Sequence, residues 1–285
     1  MIRAGVLAEI EALDPKKDFG RICFLSTNYD FPWDVEQSLS LAFFNTYGIP
    51  TISALLDSTG EFRHRAQKRY DDTKLILAEI LDSGLDSERG REANRRMNRM
   101  HGRHSISNDD YLYVLSTLVL EPIRWNRRWG WRRYTDNEVQ AQLEYMTELA
   151  SRMNIREVPT SVDELDRWSR AYEAANFRHT ESNRRVADQT LNLFLSWYPR
   201  VVRPLVRHAT LALLDDSLLD AFGYGHPSPW MRAAIDAAMR LRARALRLFP
   251  RRRAPRLLSR SRTRTYPHAH AVADLGVADA EEAGR

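Results

Sequence analysis

The chain has 285 residues, 43% of them apolar and 28% charged, with a formal net charge of +5. That is enough for one large or two small domains around a substantial core. A single cysteine, Cys23, excludes an intrachain disulfide and any thiolate cluster for zinc or iron–sulfur, and favours a reducing compartment, here read as cytoplasmic.

Residues 1–20 are too acidic and too weakly apolar for a signal peptide, and no apolar run reaches the length of a membrane span. The first helix is expected over 6–13, with a turn at Pro15. The run 21–26 is apolar but short. Pro32 forces Phe31 out of helical geometry, and Asp34 is placed to cap a helix carrying Leu39, Leu41, Ala42 and Phe43. Gly48 and Pro50 end it, and a short helix through Ile52, Leu55 and Leu56 breaks near Gly60. From Ser58 or Thr59 the next helix carries Phe62, Ala66, Arg69, Thr73, Ile76 and Ile80 on one stripe. That stripe is apolar except at Arg69 and Thr73. Two polar side chains on an apolar face need partners. Either they pair with another helix or they meet a cofactor carboxylate or bound ligand.

Gly84 closes that helix, and Ser87 caps another over 88–104 carrying Asn94, Met97, His101 and His104. Asn108 or Asp109 caps a long helix, DYLYVLSTLVLEPIRW, apolar on several sides and therefore central, which Pro122 kinks or ends. The Trp- and Arg-rich segment 124–138 could stack nucleic-acid bases, but a helix junction packed by Trp125, Trp129 and Trp131 is the plainer account, and no nucleic-acid partner is expected. Thr135 and Glu138 form a capping box for a helix over 136–152. Ser161 with Glu164 starts another carrying Leu165, Trp168 and Tyr172. Further helices are expected over 179–197, 205–214, 213–224 (closed by Gly223) and 229–249. His208 is expected to be a packing residue. Irregular structure is expected from 250 onward, ending in a flexible acidic tail over 276–285. The whole reads as all-α, a single multi-helix domain over 13–275.

Residues 240–266 hold eleven arginines and no acidic residue, so the rest of the chain carries −6. The plain account is a solvated basic helix and tail. The sharper one is peripheral contact with an anionic lipid surface. The familiar catalytic motifs are missing: there is no dinucleotide or phosphate loop, no HExxH and no GxSxG. What remains is a histidine on a buried helix, His101, with space-filling methionines such as Met97 nearby and the Arg69–Thr73 pair on a neighbouring helix. Such a set could ligate a haem iron and hold its propionates, although a hydrogen-bonded core histidine would show the same pattern. His101 and His104 could also share one metal ion, but no companion carboxylate stands out.

The stretches FNTYGIPTISALLDSTGEF, KRYDDT, SERG, NRMHGRHSISNDDYLYVLSTLVLEPIRWNRRWGWRRYTDNE, SRMNIREVPTS and RTRTYP, in this order, resemble the MpaB-like haem oxygenase family. That family is related to the fungal mycophenolic-acid oxygenases and, distantly, to the latex-clearing rubber oxygenases. The resemblance implies an all-helical fold burying one haem b, and oxygenase chemistry that uses dioxygen on a hydrophobic, isoprenoid-like small molecule, with cleavage of a C=C bond. It implies that His101 is the proximal iron ligand and that Arg69 and Thr73 are the RxxxT pair of the distal helix. One departure stands out. The latex-clearing relatives have a lysine just before that threonine, and this chain has Asp72. An aspartate there pairs with Arg69 or serves as an acid or base, and Glu61 is a further acidic group to consider. The alternative is a non-catalytic haem-binding or helical scaffold protein that keeps the same core.

Overall fold

The computed structural model describes residues 2–250 and 252–277. Among the described residues every regular element is helical. The order is α1 (Ile2–Ala12), α2 (Phe19–Leu25), a π-helical turn (Ser26–Asp30), α3 (Pro32–Tyr47), α4 (Pro50–Ser58), α5 (Glu61–His64), α6 (Ala66–Ser83) and α7 (Glu88–His101). Then follow α8 (Asn108–Trp129), α9 (Asp136–Arg152), α10 (Val162–Asn176), α11 (Glu181–Ser196), α12 (Arg203–Leu213), α13 (Asp216–Phe222) and α14 (Pro229–Leu246). The all-α expectation holds.

The longest helix, α8, is the axis of the molecule. It packs against α3, α9, α10 and α14 and buries Leu112, Leu115, Leu118, Val119, Leu120 and Ile123. Pro122 neither ends nor breaks it. A proline removes the hydrogen bond to the carbonyl four residues earlier, here that of Leu118. Gln142 on α9 supplies the replacement, its Nε2 donating to Leu118 O at 3.1 Å. A second core joins Phe44 and Tyr47 of α3 to Val186 and Leu191 of α11 and Phe222 of α13.

Side-chain caps set the main helix starts. Ser87 accepts from Gly90 N, and Thr135 with Glu138 forms the expected reciprocal box. The cap of α8 is Ser107, one residue before the expected Asn108, because its hydroxyl accepts from Asp110 N. Asp34 is not a cap. Its buried carboxylate accepts from Trp125 Nε1 and from Arg242. Glu164 reaches the backbone of Thr160 instead of Ser161, so only half of the second box forms. The helix expected from residue 58 onward is interrupted at Arg65 (φ −139°), which separates α5 from α6. His208 is exposed, not packed, and its ring bonds to Pro204 O one turn back.

Trp125, Trp129 and Trp131 pack the junction between α8, α3 and α14. All are buried, and their indole N–H groups donate to Asp34, Asp236 and Asp30 O. Satisfying the N–H lets each ring contribute its full hydrophobic burial, about 2–3 kcal/mol.

The segment after α14 is irregular, as expected, yet it is packed. Leu258, Val272 and Leu275 are buried. The backbone of Arg256, Ser259 and Thr265 donates to Asn28 O, Asp82 and Asp71. It forms a strap across α6 and α7. Gly276 and Val277 still belong to it, and the rest of the acidic tail, 278–285, lies outside the described residues. Among the described residues no single helix is long and apolar enough to cross a membrane. Helices α3 and α4 meet that requirement only together, and they are bent by 97°.

Candidate functional site

Arg69 and Thr73 stand one turn apart on α6. The Arg69 guanidinium donates to Thr73 Oγ1, which in turn donates to Arg69 O at 2.9 Å. The guanidinium also lies over the Phe62 ring, 5.9 Å from its centroid. Among the described residues no carboxylate is paired with Arg69. The partner foreseen on another helix is therefore not an acid, and a half-buried cation is left with a hydroxyl and a ring face. A guanidinium held this way has N–H donors to spare for a carboxylate or phosphate.

Helix α7 brings His101 to this cation. Tight contact with the α6–α7 turn requires Gly90, because a β-carbon there would overlap Gly84 O. The helix closes at Gly102, placing His101 in its last turn. The imidazole packs edge-on against Tyr111 of α8, with 5.6 Å between ring centroids. Its Nδ1 is buried and has no hydrogen-bond partner. Burial, the nearby Arg69 cation and His104 together hold its pKa down to about 4. At neutral pH it is therefore an uncharged imidazole, the form that ligates a metal. Met97, one turn earlier, is buried in the main core. Met100 lies against Gly276 of the strap, a residue whose positive φ and lack of a side chain admit the thioether.

Asp72, next to Thr73 in sequence, belongs to a different network. Its carboxylate pairs with Lys68 at 2.8 Å and accepts from Tyr266 Oη at 2.6 Å. Lys68 Nζ also donates to Tyr266 Oη and to Gly276 O. The aspartate thus ties α6 to the strap and pairs with Lys68, not with Arg69. Glu61 is held by Arg65, which keeps its carboxyl below the ordinary glutamate range. His104 is exposed, and among the described residues no group of three or more His, Cys, Asp or Glu side chains is placed to hold a metal ion.

The site is therefore a single neutral, partly orphaned imidazole facing a guanidinium that, among the described residues, has no carboxylate bonded to it, although its charge reaches Glu61. One imidazole is a poor trap for a free ion, but it suffices as an axial donor to an iron already held in a macrocycle. A macrocycle bearing carboxylates would in turn compensate Arg69. The residues present fit such a group. Two contributors were hidden from the sequence. Tyr111 carries no mark of its own within the run of the long helix. The strap that closes over Met100 carried no periodicity at all.

Residues 48–248 match the family model described as "ER-bound oxygenase mpaB/B'/Rubber oxygenase, catalytic domain". Arg69, Thr73 and His101 all lie inside that match. A curated relative, the ER-bound oxygenase mpaB' of Penicillium brevicompactum, is 30% identical over 236 residues, which are 76% of this chain and 56% of the relative. The ER-bound oxygenase mpaB of Penicillium roqueforti is 29% identical over 68% of this chain and 72% of the relative. That of P. brevicompactum is 30% identical over 59% of this chain and 47% of the relative. The chain thus spans only about half the length of two of these relatives. With the match covering well over half of its residues, the chain belongs to the MpaB-like oxygenase family.

Proposed function

We propose that this protein is a haem b-dependent oxygenase that uses dioxygen on a hydrophobic small molecule, with an isoprenoid-like chain and C=C cleavage as the specific reaction. The observation that carries this reading is the buried, unpartnered Nδ1 of His101 beside the Arg69 cation. His101 would hold the iron. When bound, the haem would supply the binding and activation of dioxygen. Arg69 would neutralise haem carboxylates or orient the distal side, and Thr73 fixes the guanidinium through their mutual hydrogen bond. Tyr111 packs edge-on against the imidazole, and burial together with the Arg69 cation and His104 holds the ring neutral.

The test is spectroscopic first. Protein produced with haem supplied is expected to show a Soret band, and His101→Ala is expected to lose or strongly shift it. Folded protein that purifies without haem under those conditions would sink the cofactor assignment. Incubation of the haem-loaded protein with an isoprenoid alcohol under oxygen then separates an enzyme, which yields shortened carbonyl products, from a haem binder, which yields none.

A further inference from the structure

A second feature lies at the other end of α8, about 20 Å along the helix from Tyr111. A cleft of about 590 Å³ opens between the C-terminal turns of α8 and helix α14. Seven arginines line it, four from α8 and the turn that follows and three from α14 and its C-terminal cap, with no acidic residue among the lining residues. Three carboxylates answer from its margins. Asp236 bonds Arg128 and Arg240, and Glu121 and Asp166 bond Arg124. Among the described residues that leaves an excess of four guanidinium groups, those of Arg127, Arg133, Arg244 and Arg247, without a carboxylate. Arg133 and Arg247 spend N–H groups on backbone carbonyls of Asn126 and Trp131, which position them without neutralising them.

The same helix carries an apolar face that nothing covers among the described residues. At about 100° per residue, positions 230, 234, 237 and 241 fall within a narrow arc, and the cleft arginines 240 and 244 fall in the adjacent one. Trp230, Leu241 and Leu248 are 69%, 66% and 87% exposed, and Ala234 and Ala237 between them are exposed as well. Leu248 lies just beyond the helix end, and Phe249 after it is 64% exposed. A row of arginines beside a row of Trp, Leu and Phe is the arrangement that suits a charged interface with an oily interior beneath it.

We propose that this face of α14, with the arginine-lined cleft, docks the protein on an anionic phospholipid bilayer. Lipid phosphates enter the cleft, where guanidinium groups bind them in bidentate fashion. Trp230, Leu241, Leu248 and Phe249 insert at the level of the upper acyl chains. Charge complementarity selects this occupant over a second copy of the chain, which would bring two arginine rows face to face. A nucleic acid could occupy the arginines through its phosphates but would leave Leu241 and Leu248 in water. A soluble phosphate would leave the apolar row in water. The site is separate from His101, so it stands or falls independently of the haem reading.

The experiment is vesicle flotation of the full chain with phosphatidylcholine alone and with added phosphatidylserine, at low and high salt. Binding is expected only with phosphatidylserine and is expected to weaken as salt rises. Arg127→Glu with Arg244→Glu is expected to lower partitioning by roughly tenfold or more per reversed arginine. Trp230→Ala with Leu241→Ser is expected to lower it while leaving binding of soluble inositol hexakisphosphate unchanged. All four residues are at the surface, and circular dichroism checks that both variants remain helical. Equal binding to neutral vesicles would overturn the proposal. So would binding of inositol hexakisphosphate or of an RNA oligonucleotide without binding to phosphatidylserine vesicles.

Discussion

Asp72 shows how one turn of helix separates two roles. It neighbours Thr73 in sequence, yet about 100° of helical rotation carries its carboxylate away from Arg69 and toward the strap. There Lys68, Tyr266 and the carbonyl of Gly276 close a compact network around it. A carboxylate bonded this way is better suited to holding the strap against α6 than to exchanging protons at a haem face, and the two roles give different results. Tyr266→Phe removes a hydroxyl that donates to Asp72, and it is expected to cost about 1–3 kcal/mol in urea unfolding. Asp72→Asn keeps an acceptor for Tyr266 and loses the charge opposite the partly exposed Lys68, with a smaller cost of about 1 kcal/mol. If Asp72 only positions the strap, both variants retain the haem spectrum and any loss of turnover follows their loss of stability. A turnover defect in Asp72→Asn far larger than in Tyr266→Phe, with a changed pH profile, would make it a proton-transfer group instead.

At the level of elements, α8 owes its unbroken length to a side chain from a different helix. Pro122 cannot donate to Leu118 O, and a buried carbonyl left unpaired costs about 1–3 kcal/mol. Gln142 makes the missing bond across the α8–α9 interface. Gln142→Leu is therefore expected to destabilise the protein by about 1–2 kcal/mol. Pro122→Ala restores the backbone donor, so in that background the same Gln142→Leu change should cost much less. Strictly additive effects in the double-mutant cycle would show that Leu118 O finds water or another donor. The example also marks the limit of reading elements from sequence. The apolar run made α8 legible as the central helix, and Thr135 with Glu138 made the start of α9 legible. A proline in that run signals an end unless the compensating donor, which lies twenty residues downstream on another helix, is known. The break at Arg65 was equally hidden, because the stripe from Phe62 to Ile80 keeps its spacing through it and no side-chain cap marks the new start.

Across the whole molecule, the parts legible in the sequence are those made by local periodicity, and the parts that were not are made by long-range pairing. Arg69 and Thr73 stood out because they interrupt an apolar stripe, His101 drew its role from the family resemblance, and the fold does bring Arg69 and His101 together. The strap and the arginine cleft join residues more than a hundred positions apart, so no window along the chain contains either one. Long-range pairing also places carboxylates in the interior, and this gives the fold a pH dependence of its own. Glu173 of α10 accepts from Tyr113 Oη at 3.2 Å, and burial raises its pKa. A glutamate raised in the folded state binds its proton more tightly there than in the unfolded chain, where it titrates near about 4.3. Below that pH both states are protonated and Glu173 costs nothing. Above it the unfolded chain releases the proton first, so stability is lost as pH rises through the folded pKa. Glu173→Gln keeps an acceptor for Tyr113 and removes the titration. Its melting temperature relative to the parent is expected to climb as pH is raised from about 4 toward 7 and to level off above the folded pKa. Melts across that range that run parallel for the two proteins would mean that Glu173 ionises as easily in the fold as outside it, and that Tyr113 or water already stabilises its charge.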